Sequence, residues 1–244
     1  VINTTGIRAG GLVGYIGGKS GTTINTIRNS YSTVNINSTT TTLGGIAGSA
    51  MNAFKIENSY AAGKLRTTGA GYVAGILAQQ RNADAASEIK GCVVRNDSLI
   101  AHHASAIKSG RVSGSLYGST VVVNNLGSET TVIQLTSAPT YLNSFNETSI
   151  IDDRYDGVTT AESALNQQST YESIGWNFSS IWSPTFHNVY PILQWLVARP
   201  DYKQITGFTS SADASLVDLK FKGNTINDFS PETYSYNVIL PIGS

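Results

Sequence analysis

Charge is scarce in this sequence, and so are the residues that would announce a metal or redox site. Of 244 residues only 13% are charged, the 16 basic side chains cancel the 16 acidic ones, and there are three histidines, one methionine and one cysteine. A balanced chain with no basic run lacks the electrostatic footprint that a phosphate backbone demands, so nucleic acid is excluded as an expected partner. With Cys92 alone, neither an intrachain disulfide nor a cysteine cluster for zinc can form. The longest apolar stretch, Tyr190 to Ala198, is interrupted by Pro191 and Gln194 and falls well short of the roughly 20 residues of a membrane span. The chain opens on Val1 without a charged-then-apolar leader, so any signal peptide or lipid anchor of a precursor is expected to lie outside it.

Polarity comes instead from Ser, Thr, Asn and 24 glycines, and the glycines recur in a pattern. Four stretches share one form: Gly10-Gly11-Leu12-Val13-Gly14, Gly44-Gly45-Ile46-Ala47-Gly48, Gly71-Tyr72-Val73-Ala74-Gly75 and Gly110-Arg111-Val112-Ser113-Gly114. Self-similarity at a period of about 20 to 50 residues signals a solenoid or array. Aligned on their last glycine, the columns Leu12/Ile46/Val73/Val112 and Ile16/Ala50/Leu77/Leu116 are aliphatic or nearly so. The columns between them are mixed. With side chains alternating along a strand, the aliphatic columns point inward and Gly14, Gly48, Gly75 and Gly114 lie inward between them. A repeated inward glycine predicts that opposite walls approach too closely for a side chain.

A second element follows each glycine strand: Ile27-Arg28-Asn29-Ser30-Tyr31, Ile56-Glu57-Asn58-Ser59-Tyr60, Ile89-Lys90-Gly91-Cys92-Val93 and Val123-Asn124-Asn125-Leu126-Gly127. Its third column, Asn29/Asn58/Gly91/Asn125, holds the residue types that most readily take the left-handed conformation, so it reads as a corner between strands. Beyond the corner, Ser32/Ala61/Val94/Ser128 face the core, while Thr33/Ala62/Arg95/Glu129 and Asn35/Lys64/Asp97/Thr131 collect the charges and face out. The corners lie 29, 33 and 34 residues apart and the final glycines 34, 27 and 39. An irregular period built from short strands and corners fits a parallel β-helix of about four coils better than a propeller, whose four-stranded blades need about 40 to 50 residues each.

The pairing of Gly-Gly-Leu-Val-Gly or Gly-Gly-Ile-Ala-Gly with a following Ile-x-Asn-Ser-Tyr resembles the GLUG-motif repeats of bacterial surface proteins, which occur in adhesin-like proteins and in non-catalytic parts of surface peptidases. That resemblance implies a bacterial, secreted or cell-surface location. The repeats occupy about residues 6–135, and a cap of about 136–200 follows. In the cap, Thr159-Thr160-Ala161-Glu162 reads as a capping box opening a short helix from Ala161 to Gln168. All three tryptophans lie between Gly175 and Leu196, and they are expected to pack over the last coil and bury its cross-section. This segment looks like the one that closes GLUG-type repeat regions. Residues 201–244, with Phe229-Ser-Pro and Tyr236-Asn-Val-Ile-Leu-Pro, resemble the opening of a cadherin-like β-sandwich module, present only in part. The fold class expected is therefore all-β.

Candidate chemistry is sparse. Asp152, Asp153 and Asp156 beside Arg154 could act as an acid/base pair on a glycoside or hold calcium, but Arg154 takes the place of the middle calcium ligand and a solvated turn is expected. His102 and His103, with Lys108 and Arg111 near in sequence, read as a surface loop between coils. His187 reads as a loop residue of the cap, and Cys92 as a buried core residue. No catalytic, metal or cofactor site is expected. Tyr31 and Tyr60 share a column and should stack on successive coils, either as a platform for a sugar ring or as packing. The expected role is a non-enzymatic surface segment serving adhesion or display, with a host or bacterial surface protein or a glycan as partner. A carbohydrate-active β-helix, polysaccharide lyase or glycoside hydrolase, is the alternative.

Overall fold

In the computed structural model the chain divides into two compact units, Val1–Arg199 and Pro200–Ser244. The structure describes residues 1–17, 24–39, 42–69, 71–82, 86–102, 109–117, 119–135, 141–142, 153–186, 189–197, 220–221 and 224–225. In the second unit Lys220–Phe221 pairs antiparallel with Asn224–Thr225. The rest of the expected β-sandwich, Phe229-Ser-Pro included, lies outside the described residues.

The first unit is a parallel β-solenoid of about four coils. Each coil runs through four walls. The first wall stacks Arg8–Gly10, Thr42–Gly44, Tyr72–Ala74 and Ser109–Gly110; the second stacks Val13–Ile16, Ala47–Ala50 and Leu77–Gln80. The third stacks Asn25–Arg28, Phe54–Glu57, Glu88–Lys90 and Val121–Val123, and the fourth is centred on Tyr60–Thr67 and Val93–Ala101. Strands of neighbouring coils pair parallel and in register, about 4.8 Å apart, so each column of the sequence becomes a row along the solenoid.

The register differs from the glycine alignment in the third repeat. Ala9 pairs with Leu43, Leu43 with Val73 and Val73 with Ser109, which sets coil periods of 34, 30 and 36 residues. Gly75 therefore stands beside Gly45, not Gly48, and Leu77 beside Ala47. The third coil's true motif is Gly75-Ile76-Leu77-Ala78, whose last glycine has become alanine. Gln80, not Leu77, joins Ile16 and Ala50. It is buried, and its Oε1 accepts Tyr117 N–H (3.1 Å) and the Thr120 hydroxyl (2.5 Å).

Corners behave as their residues dictate. Asn29, Asn58, Gly91 and Asn124 have φ of 50°, 46°, 62° and 56°, the left-handed region that Asn and Gly tolerate best. The fourth corner is thus Asn124, one residue before the position read from sequence. Asn125 falls instead in the row of Ser30, Ser59 and Cys92, just past the bend. There each coil's side chain holds a backbone group: Ser59 Oγ donates to Glu57 O (2.8 Å) and accepts Ser30 N–H (3.2 Å). Asn125 Oδ1 accepts Cys92 N–H (2.8 Å) while its amide donates to Ile89 O (3.0 Å). Burying these polar atoms costs little because each is satisfied.

The interior is aliphatic, with Ile46, Ile76 and Val112 fully buried in one row. Leu12, in the same row, was expected in the core but is 43% exposed, because no described coil covers the first one; Ile2 is 45% exposed where Ile36, its neighbour one coil on, is 1%.

The other end is closed by chain that sequence placed outside the repeat. The helix α1 (Asp153–Asp156) supplies Tyr155 O to the N–H groups of Val112 (2.7 Å) and Ser113 (3.0 Å), and Val158–Thr160 adds a strand beside Leu126–Ser128. Together they form a partial fifth coil.

Candidate functional site

Tyr31 and Tyr60 do stack, with ring centroids 5.0 Å apart and planes within 2°. They are packing, not an open platform. Tyr60 is 1% exposed and meets Trp176, Trp182 and Tyr190 at centroid distances of 6.3, 6.1 and 5.8 Å. Each well-oriented aromatic pair adds about 0.5–1.5 kcal/mol beyond its area. The aromatic segment therefore does not lie over the last coil as expected. It folds back along the side of the solenoid, over the row Tyr31, Tyr60, Val93 and Leu126. Trp176 Nε1 donates to Gly91 O (2.7 Å), which ties it to the third corner.

Arg95 fixes this cap. Its column was expected to face solvent, and it does point outward, but the cap encloses it and it is 5% exposed. Its guanidinium donates to Leu165 O (3.2 Å), Val189 O (2.5 Å), Asn166 Oδ1 (3.0 Å) and Glu162, and lies 4.8 Å over the Tyr190 ring. Glu162 also accepts the hydroxyls of Ser128 and Thr130. That is why the capping box is not formed: Glu162 is spent on Arg95 and Ser128, and α2 (Glu162–Leu165) starts after Ala161, which has no capping side chain, with Glu129 Oε1 accepting Glu162 N–H instead (3.2 Å). A second helix, α3 (Gln168–Ser173), follows it.

Arg111 is likewise not in a surface loop. It is 1% exposed inside the fourth coil and donates to Gly127 O (3.1 Å), Ser128 O (3.0 Å), Gly157 O (3.5 Å) and Thr159 Oγ1 (2.8 Å). Asp156 lies beside it, 4% exposed, its Oδ1 3.9 Å from Arg111 Nε and accepting Arg111 N–H at 3.2 Å. The solvated turn expected around Asp156 is thus a buried ion pair that seals the solenoid. Arg154 donates to Tyr117 O (2.8 Å). Asp152, His103, Lys108 and His187 lie outside the described residues, and His102 is exposed. Among the described residues no three His, Cys, Asp or Glu side chains gather as metal ligands would. Cys92 is fully buried, and burial pushes its thiol up to about 12.

What remains available to a partner is the outer face. On the third wall Arg28, Glu57 and Lys90 form one row and Lys55 and Glu88 another, alternating in sign, with Lys55 Nζ 3.0 Å from Glu88 Oε2. Lys55 also lies 4.0 Å from Glu57, so acidic and basic groups alternate over this face. On the fourth wall an open groove of about 400 Å³ runs across successive coils and is lined by Asn, Thr and Ser side chains with one cation, Arg66. Sequence reasoning missed this groove, because its residues become neighbours only through the register Asn3–Asn37–Arg66.

Residues 39–66 match the family model of the GLUG motif. This GLUG motif covers the end of the first coil and most of the second, including the corner at Asn58. No curated protein matches the sequence. Among solved structures, the crystal structure of a "putative immunoglobulin A1 protease from Bacteroides ovatus" is similar, with a TM-score of 0.58 and 25% identity over 79% of this chain. The chain spans 55% of that protein, so the likeness concerns part of that relative and not the whole of it.

Proposed function

We propose that this chain is a non-catalytic solenoid segment of a secreted or surface-anchored bacterial protein, serving to display or bind a partner. The observation that carries the reading is where the charged groups go. Arg95 with Glu162 and Arg111 with Asp156, the last of these a member of the acid/base cluster weighed from sequence, are consumed inside the fold as clamps for the cap and the end coil. The groove on the outside is lined by Asn, Thr and Ser residues and one arginine, without an acidic group, a face that suits binding. The GLUG motif supports the reading, as does the likeness to part of a larger protein.

The test is incubation of the purified protein with uronic-acid polymers, host glycans and immunoglobulin A1, followed by chromatography of the products. No cleavage is expected. Cleavage abolished by changing Asp152 or Asp153 would overturn the reading in favour of the carbohydrate-active alternative.

A further inference from the structure

Six of the eight side chains that line the fourth-wall groove are unspent, Thr4 and Ser38 being the exceptions. Those of Asn3, Asn37, Arg66, Thr5, Thr39 and Thr68 line it and make no hydrogen bond or ion pair within the protein. The parallel register holds Asn3, Asn37 and Arg66 in one outward row on three successive coils, about 4.8 Å per step. The threonines stand just past the strand ends of those same coils. The result is a regular ladder of donors and acceptors fixed on strands, so little side-chain freedom beyond rotamer choice is lost when a ligand engages it.

The chemistry of the ladder selects its ligand. Asn amides and Thr hydroxyls each donate and accept, which matches the hydroxyls of a sugar. Arg66 adds a planar fork that binds a carboxylate through two parallel N–H···O bonds. No acidic side chain lines the groove to repel an anion. On the third wall, by contrast, acidic side chains stand among the cations, and Lys55 pairs with Glu57 and Glu88. An open groove of about 400 Å³ whose lining spans three coils suits a stretch of linear chain lying along the coils rather than an enclosed small molecule.

We propose that this groove binds a linear acidic polysaccharide through its uronate carboxylates, with Arg66 as the anion contact and Asn3 and Asn37 as the hydroxyl contacts. The proposal rests on the binding role given above and names its partner.

The test is calorimetric titration of the whole chain with hyaluronan oligosaccharides, whose only anions are uronate carboxylates, against neutral dextran oligosaccharides. Hyaluronan is expected to bind with an affinity that falls as salt rises, and dextran at least tenfold more weakly. Arg66→Ala should lower hyaluronan affinity at least tenfold and Asn37→Ala severalfold. Lys90→Ala, on the third wall, should leave it unchanged. All three positions are exposed, and tryptophan fluorescence of the cap checks that each variant is folded. Absence of hyaluronan binding, equal binding of dextran, or binding untouched by both Arg66→Ala and Asn37→Ala overturns the site. Such a result leaves the non-catalytic reading standing, whereas breakdown of hyaluronan during the titration overturns that reading instead.

Discussion

Arg111 occupies, in the fourth coil, the row held by Gly11, Gly45 and Gly75 in the first three, and Gly127 faces it where the earlier coils have Ser32, Ala61 and Val94. A Cβ on Gly45 would lie 2.6 Å from Ala61 Cβ, and one on Gly75 2.5 Å from Val94 Cγ1; on Gly127 it would lie 2.7 Å from Arg111 Cδ. The two walls thus share one space per coil. In three coils the space is filled from the fourth wall, and in the last it is filled by an arginine reaching across from the first.

This exchange predicts strong coupling. Gly127→Val alone should collide with Arg111 and cost about 3 kcal/mol or more, as overpacking of a tight interior does. Arg111→Gly alone should cost about 3–5 kcal/mol, because Asp156 is left buried without its partner. The pair Arg111→Gly with Gly127→Val removes the collision with Arg111, though not the contact with Asp156 O, 2.6 Å from the new Cβ, and should be more stable than the sum of the single changes by over 1 kcal/mol. Urea unfolding of the four proteins measures the coupling, and simple additivity would refute the exchange.

The corners make a second prediction. Gly91 has φ of 62°, and a Cβ there would lie 2.5 Å from Asn58 Oδ1 and 2.8 Å from Ile174 O. Gly91→Ala should therefore destabilise by more than the roughly 1–2 kcal/mol of left-handed strain alone and should loosen Trp176, whose ring nitrogen donates to Gly91 O. Asn124→Gly, at φ of 56° on the exposed fourth corner, should be near neutral or stabilising. Thermal unfolding monitored by tryptophan fluorescence separates the two.

The solenoid was legible in the sequence because its determinants are local. An Asn or Gly at the bend and an aliphatic before it, as in Ile27-Arg28-Asn29 and Ile56-Glu57-Asn58, fix a corner whatever surrounds them. What was not legible depends on register. Gly75 belongs to either of two glycine positions until hydrogen bonds choose, since the motif reads acceptably both ways and a loop absorbs the three-residue difference. Arg95, Arg111 and Asp156 were read as surface groups because charges ordinarily are, and their burial depends on partners 16 to 94 residues away along the chain. The groove was invisible for the same reason: Asn3, Asn37 and Arg66 share no motif and meet only by stacking.

Acid should release the cap before it unfolds the coils. Burial works to raise the carboxyl of Glu162, but the hydrogen bonds from Ser128, Arg95 and Thr130 outweigh it and hold the group below its ordinary value. A carboxyl depressed in the folded state contributes stability that is complete above the unfolded value, about 4.3, and is lost as pH falls through the folded one. Tryptophan emission should therefore shift at acidic pH before the far-UV signal of the strands is lost. In Glu162→Gln that step should disappear and the cap should be weaker at neutral pH. A single concerted transition, unchanged by Glu162→Gln, would show that Arg95 does not act through this carboxylate.

Cys92 offers a probe of how tightly the coils close. It is fully buried in the row behind the corners, its thiol donating weakly to Ile56 O (3.5 Å) and Lys90 O (3.6 Å). Burial raises its pKa to about 12, although the hydrogen bonds work the other way, so at neutral pH almost no thiolate exists to react. A thiol reagent such as dithionitrobenzoate should leave the native protein unmodified over hours and label it within minutes in denaturant. Gly91→Ala, which distorts the adjacent corner, should speed native labelling by at least tenfold through local opening. Asn124→Gly should not. Rapid labelling of the unaltered protein would mean that the third and fourth coils separate readily, and would place the least stable part of the solenoid at its centre and not at its open end.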